Sequence, residues 1–288
     1  MRMLNHNKIQ KNMASRFLKD RIYKLLFYIA ILFSIVILSV LLFQIVEKGI
    51  SYLSIDFFTN FASRNPKEAG IAAALSGTIL FMSIVIPVSF IFGVGTALYL
   101  EQYAKESLFK KIVEINNQTL AGVPSVVFGL LGLTIFVYAL HLGESIVAAA
   151  LTMSLLVLPT VVVASQEAIR SVPSVLLEGS YGLGATKWQT MYQIVLPYAF
   201  PGIITGCTLA ISRAIGEAAP LLVIGALAFA NYVPFSMFDR FTVLPIQIFN
   251  WMSRPQEEFQ YVAAAGMIVL LGLLLFINIF VLWLRNRK

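Results

Sequence analysis

Long apolar runs separated by short polar segments dominate the sequence. The run from Leu25 to Val46 contains 22 residues without a charge, and a helix of about 20 apolar residues is long enough to cross a bilayer. By this criterion we predict six transmembrane helices, over Leu25–Val46, Ala69–Leu100, Ile115–Gly143, Ser145–Gln166, Pro201–Phe229 and Phe259–Leu284. The pattern therefore indicates an all-α, polytopic membrane protein.

The composition supports the same class. Hydrophobic residues make up 59% of the 288 residues, charged residues make up 12%, and the mean hydropathy is +0.84, which is too apolar for a soluble domain of this size. The net charge of +7 would suit nucleic acid only if it formed a basic face on a soluble fold. Because the charges lie at the ends of apolar runs, we expect a lipid bilayer as the partner and no nucleic acid.

The distribution of Lys and Arg predicts the sidedness. With six helices and both termini in the cytoplasm, 15 of the 21 Lys and Arg lie inside and five lie outside, as the positive-inside rule requires. The alternative is a seventh helix, since residues 218–238 are also uncharged, but it would move the basic C-terminus outside. We therefore predict one long fifth helix, Pro201–Phe229, with a kink at Pro220.

These boundaries divide the chain into three parts. Residues 1–21 form a basic cytoplasmic tail, residues 22–70 form the first transmembrane helix and an external loop, and residues 71–288 form a core of five transmembrane helices. We expect the tail to be disordered and held near anionic lipid head groups. A cleaved signal peptide is the alternative, but its apolar region would be shorter than the first run. The core contains a polar segment at residues 167–197, here called the coupling loop.

Two short helices are predicted inside the coupling loop. The loop contains Glu178, Gly179 and Ser180, followed after three residues by Gly184 and Ala185. Nine residues separate Gly184 from the apolar group Ile194–Pro197. Glycine favours a turn, and proline removes a helix hydrogen bond. The spacing predicts a helix, a turn near Gly184, a second helix and a break at Pro197.

Two charged residues fall inside the predicted fifth helix. Arg213 and Glu217 are four residues apart, so on one helix they would share a face about 6 Å apart along the axis. An ionised residue costs roughly 2.5 to 3.5 kcal/mol at the centre of a bilayer on insertion scales and is therefore a functional candidate.

Both features resemble the permeases of binding-protein-dependent ABC importers. The coupling loop is similar to their cytoplasmic motif E-A-A-x3-G-x9-I-x-L-P, from which it departs only by Gly179 and Ser180 in place of two alanines. The segment from Ser212 to Leu222 is similar to the S-R-A-x-G-E-x-A-P-L-L signature of the A-type permease subunit of phosphate-specific ABC importers. The resemblance extends from about Leu75 to the C-terminus and implies the ABC importer type I permease fold.

The resemblance also implies the partners. It implies a sister permease subunit in a heterodimer, two ATP-binding subunits at the coupling loop, and an extracytoplasmic phosphate-binding protein, all at a bacterial or archaeal cytoplasmic membrane. The sequence contains no G-x-x-x-x-G-K-[ST] loop. We therefore expect a transport subunit without catalytic residues, metal or cofactor, whose ATP is bound and hydrolysed by a partner.

Arg213 and Glu217 are the candidate residues of the substrate pathway. A guanidinium group matches the oxygens of inorganic phosphate, and a carboxylate can accept a hydrogen bond from protonated phosphate while repelling sulfate. Two alternatives stay open: Glu217 neutralises Arg213 without touching substrate, or the pair is a structural salt bridge. For the whole chain the alternatives are a permease for another oxyanion, such as sulfate or molybdate, and an ion-coupled secondary transporter.

Overall fold

The computed structural model describes residues 6–226 and 229–286, and within these ranges the backbone is helical without a strand. The α-helices are α1 His6–Gly49, α2 Ile55–Thr59, α3 Ala72–Leu98, α4 Leu108–Leu120, α5 Ser125–Gly132, α6 Ile146–Arg170, α7 Ser174–Gly182, α8 Lys187–Thr190, α9 Leu196–Gly216, α10 Ala219–Ile224, α11 Leu244–Met252 and α12 Glu258–Asn286. Two 3₁₀ turns lie at Ile50–Tyr52 and Pro66–Glu68, and three π-helical segments lie at Tyr99–Tyr103, Leu133–Ala139 and Met191–Val195.

Five helices of the described chain are long and apolar enough to cross a membrane. They are Lys19–Tyr52, Ala72–Tyr103, Ile146–Arg170, Lys187–Gly216 and Glu258–Trp283, and a sixth span results if the bent pair of α4 and α5 is counted as one. The predicted all-helical, polytopic class is confirmed.

The centre of the fold is a layer of three helices, with α6 packed between α3 and α9. Small residues bring the helices together: Gly93 of α3 lies against Val161, and Gly202 of α9 lies so close to Ala168 that an added Cβ would be 2.8 Å from its methyl carbon. Such small residues permit the close backbone approach that stabilises helix pairs in membranes. Helix α6 ends at Arg170, where the coupling loop continues the chain. The end of the bundle at Arg170 is therefore called the coupling end below.

Helix α1 lies at the edge of the bundle against α12. Gly49 contacts the backbone of Ala264, whereas the side chains of α1 are exposed over most of its length. The predicted disorder of the tail is wrong from His6 onward, because α1 begins there and continues without a break into the first span. Its residues are good helix formers, and Lys24 pairs with Asp20 one turn earlier at 2.8 Å.

We predicted one helix for the third apolar run, Ile115–Gly143, but the structure divides it into two helices. Helix α4 ends at Leu120, and α5 starts at Ser125 after a bend of 108°. Pro124 cannot donate a helix hydrogen bond, and Gly122 before it is a weak helix former. Helix α4 also carries polar residues that suit a surface, and Asn117 donates to the carbonyl of Pro159 at 3.4 Å.

The fifth helix is also shorter than predicted. Helix α9 ends at Gly216, Glu217 has an extended backbone (φ −87°, ψ 120°), and the short helix α10 follows. A continuous helix would place Pro220 four residues after Gly216, where its ring meets that carbonyl and offers it no N–H. The expected kink at Pro220 is therefore a complete break three residues earlier.

The predicted break at Pro197 is wrong. The chain is helical from Lys187 to Gly216, and the π-helical segment Met191–Val195 lies directly before Pro197. In this segment the N–H of Leu196 donates to the carbonyl of Met191, five residues earlier. A π-turn is one of the ways in which a helix accommodates an irregular hydrogen-bond ladder, so the proline stays in the first turn of α9.

Candidate functional site

Arg213 lies in the last turn of α9 and is exposed in the isolated chain. Its depth follows from the antiparallel contact with α6, where Gly202 lies against Ala168 and Gly206 against Ala164. Continuing this register brings Arg213 level with Val157, close to the middle of the span formed by α6. Arg213 therefore lies beside the middle of α6, on a surface that this chain does not cover by itself.

Glu217 lies just beyond the end of α9 and is half-buried. Glu217 is the C-cap of α9, one turn after Arg213, and the backbone leaves the helical path only at Glu217 itself. Among the residues that the structure describes, no ion pair within 4.0 Å joins them. The two charges thus flank one helix break without neutralising each other by direct contact.

The break leaves irregular backbone level with the middle of α6, a helix long and apolar enough to cross a membrane. Non-helical backbone at this depth is tolerated only where it is buried in protein or lines a water-filled cavity. Gly216 is exposed, and a Cβ added to it would meet nothing within 4 Å. The space beside the break is therefore open, and it is bordered by a permanently charged donor group and a carboxylate.

Helix α5 packs closely on α10, the short helix that follows the break. A Cβ added to Gly129 would lie 2.9 Å from Cα of Pro220 and 3.0 Å from Cβ of Val223. Helix α10 ends at Ile224, and the next residue, Gly225, has a φ of +98°, the left-handed conformation that glycine adopts readily. Gly225 also lies against the carboxyl group of Glu144.

The coupling loop contains the predicted first helix and turn, but its second helix, α8, continues through the π-helical segment into α9. Helix α7 contains Glu178, Gly179 and Ser180, and Gly184 has a φ of +83° in the turn. The N–H of Ala185 donates to the carbonyl of Ser180 at 3.1 Å. The buried hydroxyl groups of Ser180 and Thr190 form a hydrogen bond of 2.8 Å, which ties α7 to α8.

The outer surface of the coupling loop carries several exposed apolar side chains. Leu183 is 91% exposed, and Val175 and Trp188 are also largely exposed. Trp188 stacks on Tyr192 with a distance of 6.5 Å between ring centroids, and a capping box between Thr186 and Gln189 fixes the start of α8. A rigid, exposed apolar patch is typical of an interaction surface.

Four charged or polar side chains connect three helices at the coupling end, a feature that the sequence reasoning missed. Arg170 donates to Glu101 from Nε at 3.0 Å and from Nη2 at 2.8 Å, and Gln166 donates to the same carboxylate at 2.7 Å. Arg170 also lies 3.7 Å from Glu114 of α4. The available signal was that Glu101 and Arg170 each end an apolar run on the same predicted side of the membrane.

The opposite end of the bundle carries a second charged pair, between Arg240 and Glu144. The loop around it is fixed by Asp239, whose side chain accepts from the N–H groups of Phe235 at 3.0 Å and Ser236 at 2.9 Å. Within the described residues no group of three His, Cys, Asp or Glu has a geometry that could hold a metal ion. His141 and Glu144 lie in the turn between the π-helical segment Leu133–Ala139 and α6.

Comparison with known proteins adds a family match and sequence relatives. Residues 89–288 match the family described as "Binding-protein-dependent transport system inner membrane component". The phosphate transport system permease protein PstA of Haemophilus influenzae is 31% identical and aligns over 91% of this chain and 92% of its own. PstA of Mycobacterium leprae is 33% identical and aligns over 84% of this chain and 80% of its own. The probable ABC transporter permease protein YqgI of Bacillus subtilis is 31% identical and aligns over 83% of this chain and 86% of its own.

Solved structures of transporters share the fold. A chain of a bacterial ABC transporter involved in the import of the acidic polysaccharide alginate superposes with a TM-score of 0.66 over 94% of this chain and 99% of its own, at 16% identity. A chain of the inward-facing methionine transporter MetNI superposes with a TM-score of 0.62 over 75% of this chain and 96% of its own, at 15% identity.

Proposed function

The chain belongs to the binding-protein-dependent transport system inner membrane components, and from this premise we propose that it is a permease subunit of an ATP-driven inorganic phosphate importer. It forms half of the transmembrane pathway in a bacterial or archaeal cytoplasmic membrane and is not itself an enzyme. The observation that carries the proposal is the helix break at Glu217 with Arg213 exposed beside it, level with the middle of α6. The phosphate permeases among its relatives support the choice of substrate.

Arg213 acts as the anion-binding group of the pathway. Its planar, permanently charged guanidinium offers paired N–H donors that match two oxygens of phosphate. At a site with little water the attraction between these charges is much stronger than at a surface. The donors also replace part of the hydration that phosphate loses when it leaves water. Passage through the membrane is thereby made less costly without any bond being formed or broken.

Glu217 acts as the selectivity group. Phosphate carries at least one proton at neutral pH, so a carboxylate can accept a hydrogen bond from it. Fully deprotonated sulfate has no proton to donate and is repelled. Within the described residues no direct ion pair joins Glu217 to Arg213, which supports this role, because a carboxylate already paired with the arginine would have less capacity for substrate. A Glu217→Gln variant that keeps the phosphate to sulfate preference of the wild type would contradict it.

The coupling loop docks onto a separate ATP-binding subunit. Its exposed apolar surface around Leu183 supports this assignment, and the rigid turn at Gly184 presents that surface. The two ATP-binding subunits supply ATP binding and hydrolysis, and a sister permease covers the side of the pathway that this chain leaves open. An extracytoplasmic phosphate-binding protein delivers the substrate. In this arrangement the coupling end and both termini face the cytoplasm.

Uptake of labelled phosphate by cells that express the chain with its partners tests the proposal. We expect Arg213→Gln to be expressed but inactive, whereas the matched control Arg64→Gln, in the exposed loop at the opposite end, transports normally. Excess sulfate and molybdate should leave wild-type uptake unchanged. Uptake that survives in Arg213→Gln would make Arg213 structural, and suppression by either competitor would assign the chain to a broader oxyanion importer.

A further inference from the structure

The hydrogen-bonded cluster at the coupling end joins the segment that precedes the coupling helix α7 to two other helices. It consists of Arg170, Glu101, Gln166 and Glu114 and is called the clasp below. Arg170 is the last residue of α6, and α7 starts at Ser174 only four residues later. Any displacement of α7 therefore acts on Arg170 through a connection that is too short to absorb it.

The contacts of Arg170 reach far along the sequence. The carboxylate of Glu101, whose side chain is only 11% exposed, receives two hydrogen bonds from Arg170 and one from Gln166. A paired geometry of this kind fixes both the distance and the orientation of the partners. The clasp thus attaches the end of α6 to the end of the π-helical extension of α3, 69 residues earlier.

Glu114 extends the clasp to α4. Its Oε1 lies 3.7 Å from Arg170 Nη2 and, within the described structure, accepts no hydrogen bond. The carboxylate is thus held by charge at a distance that a small movement of Arg170 can shorten or lengthen. Helix α4 continues after the bend into α5, and α5 packs at Gly129 on Pro220 beside the helix break.

We propose that the clasp is the positioning link that transmits movement of the coupling loop to the helix break at Glu217. Arg170 moves with α7 and changes its contacts with Glu101 and Glu114. Because Glu114 belongs to α4, this change rotates α4 and α5 relative to α10. The proposal rests on the proposed function, since it assumes that an ATP-binding subunit moves the coupling loop. Arg170, Glu101 and Glu114 are positioning residues, because they act on the pathway only through the helices that they join.

The experiment uses the complete complex in proteoliposomes, and its labelling readout does not depend on the cargo. A cysteine is introduced by Gly216→Cys in a Cys207→Ala chain, because a side chain at this exposed position meets no neighbour. Its reaction rate with a membrane-impermeant maleimide is compared between the nucleotide-free state and the state trapped with ATP and vanadate. We expect the two rates to differ at least about threefold while the clasp is intact.

Three changes in this reporter chain test the clasp. Arg170→Gln and Glu101→Gln should retain ATP hydrolysis but lose the difference in labelling rate, and phosphate transported per ATP should fall by about five- to tenfold, within the range of a typical coupling between sites. The conservative change Arg170→Lys keeps a positive charge between Glu101, Glu114 and Glu167 and should recover at least half of the labelling difference. The control Lys111→Gln removes a positive charge from α4 outside the clasp and should preserve it.

Several results would overturn the proposal. It fails if both glutamine variants keep the labelling difference, or if the unaltered reporter chain shows no difference between the two states. It also fails if the glutamine variants do not assemble and Arg170→Lys restores nothing, since the clasp would then be needed only for folding. A different result separates this proposal from the proposed function. If the complex takes up no phosphate but the labelling difference is present and depends on the clasp, the choice of substrate is contradicted and the role of the clasp is supported.

Discussion

Gly129 in α5 lies directly against Pro220 in α10: a methyl group on Gly129 would come within 2.9 Å of Pro220 Cα and 3.0 Å of its carbonyl oxygen. Both atoms belong to the backbone and cannot rotate away. Pro220 is also the residue whose ring prevents α9 from continuing past Gly216. One close contact therefore fixes the helix break beside Arg213 against the wall formed by α5.

We expect Gly129→Ala to destabilise the protein although alanine is the better helix former. Alanine in place of a helical glycine contributes up to about 1 kcal/mol, whereas forcing a methyl group into packed backbone typically costs about 1 to 3 kcal/mol. The control is Gly95→Ala in α3, where an added Cβ meets nothing within 4 Å. Thermal unfolding of the purified chain in detergent measures both variants. Equal midpoints for the two would show that α5 and α10 are not held at this distance.

The long helices were predictable because their apolar runs and caps agree. The run Ser145–Gln166 predicted α6, and the structure shows that Ser145 caps this helix by accepting from the N–H of Ala148 at 3.3 Å. The turn at Gly184 was predictable for a similar reason, since its left-handed conformation is one that glycine tolerates better than other residues. Local chemistry determines these features.

The breaks could not be placed from local chemistry, because proline has different effects in different packing. Pro159 lies inside α6 and Pro201 inside α9 without ending either helix, whereas Pro220 ends α9 at Gly216. What differs is the surroundings: α10 has α5 to pack on once it separates from α9. The clasp was missed because it depends on which helix ends meet, and its members Glu101 and Arg170 are 69 residues apart.

The hydrogen bond between Ser180 and Thr190 predicts a non-additive pair of substitutions. Ser180→Ala restores the alanine of the importer motif but leaves the buried hydroxyl of Thr190 without its partner, at a cost of about 1 to 3 kcal/mol. Thr190→Val alone should cost a similar amount. The double variant should lie close to the wild type, because it removes both polar groups. Urea unfolding of the four proteins gives the coupling energy, and strictly additive changes would mean that the two hydroxyl groups do not interact.

The apolar surface of the coupling loop predicts a binding defect without a folding defect. Leu183 is 91% exposed and follows α7 directly, so Leu183→Asp should leave the thermal stability of the purified permease unchanged to within about 0.5 kcal/mol, as is usual for surface sites. Association with the ATP-binding subunit should weaken by at least about tenfold, because an aspartate would have to be desolvated in the contact. Co-purification and titration of the ATP-binding subunit measure this effect.

Phe235 provides the matched control at the opposite end of the bundle. It is also 91% exposed, so Phe235→Asp introduces the same charge on an equally accessible apolar residue. Because the coupling loop and Phe235 lie at opposite ends of α6, only the change at Leu183 should affect binding of the ATP-binding subunit. Equal weakening by both substitutions would point to a general effect of the added charge on assembly. Unaltered binding by Leu183→Asp would place the docking surface elsewhere than around Leu183.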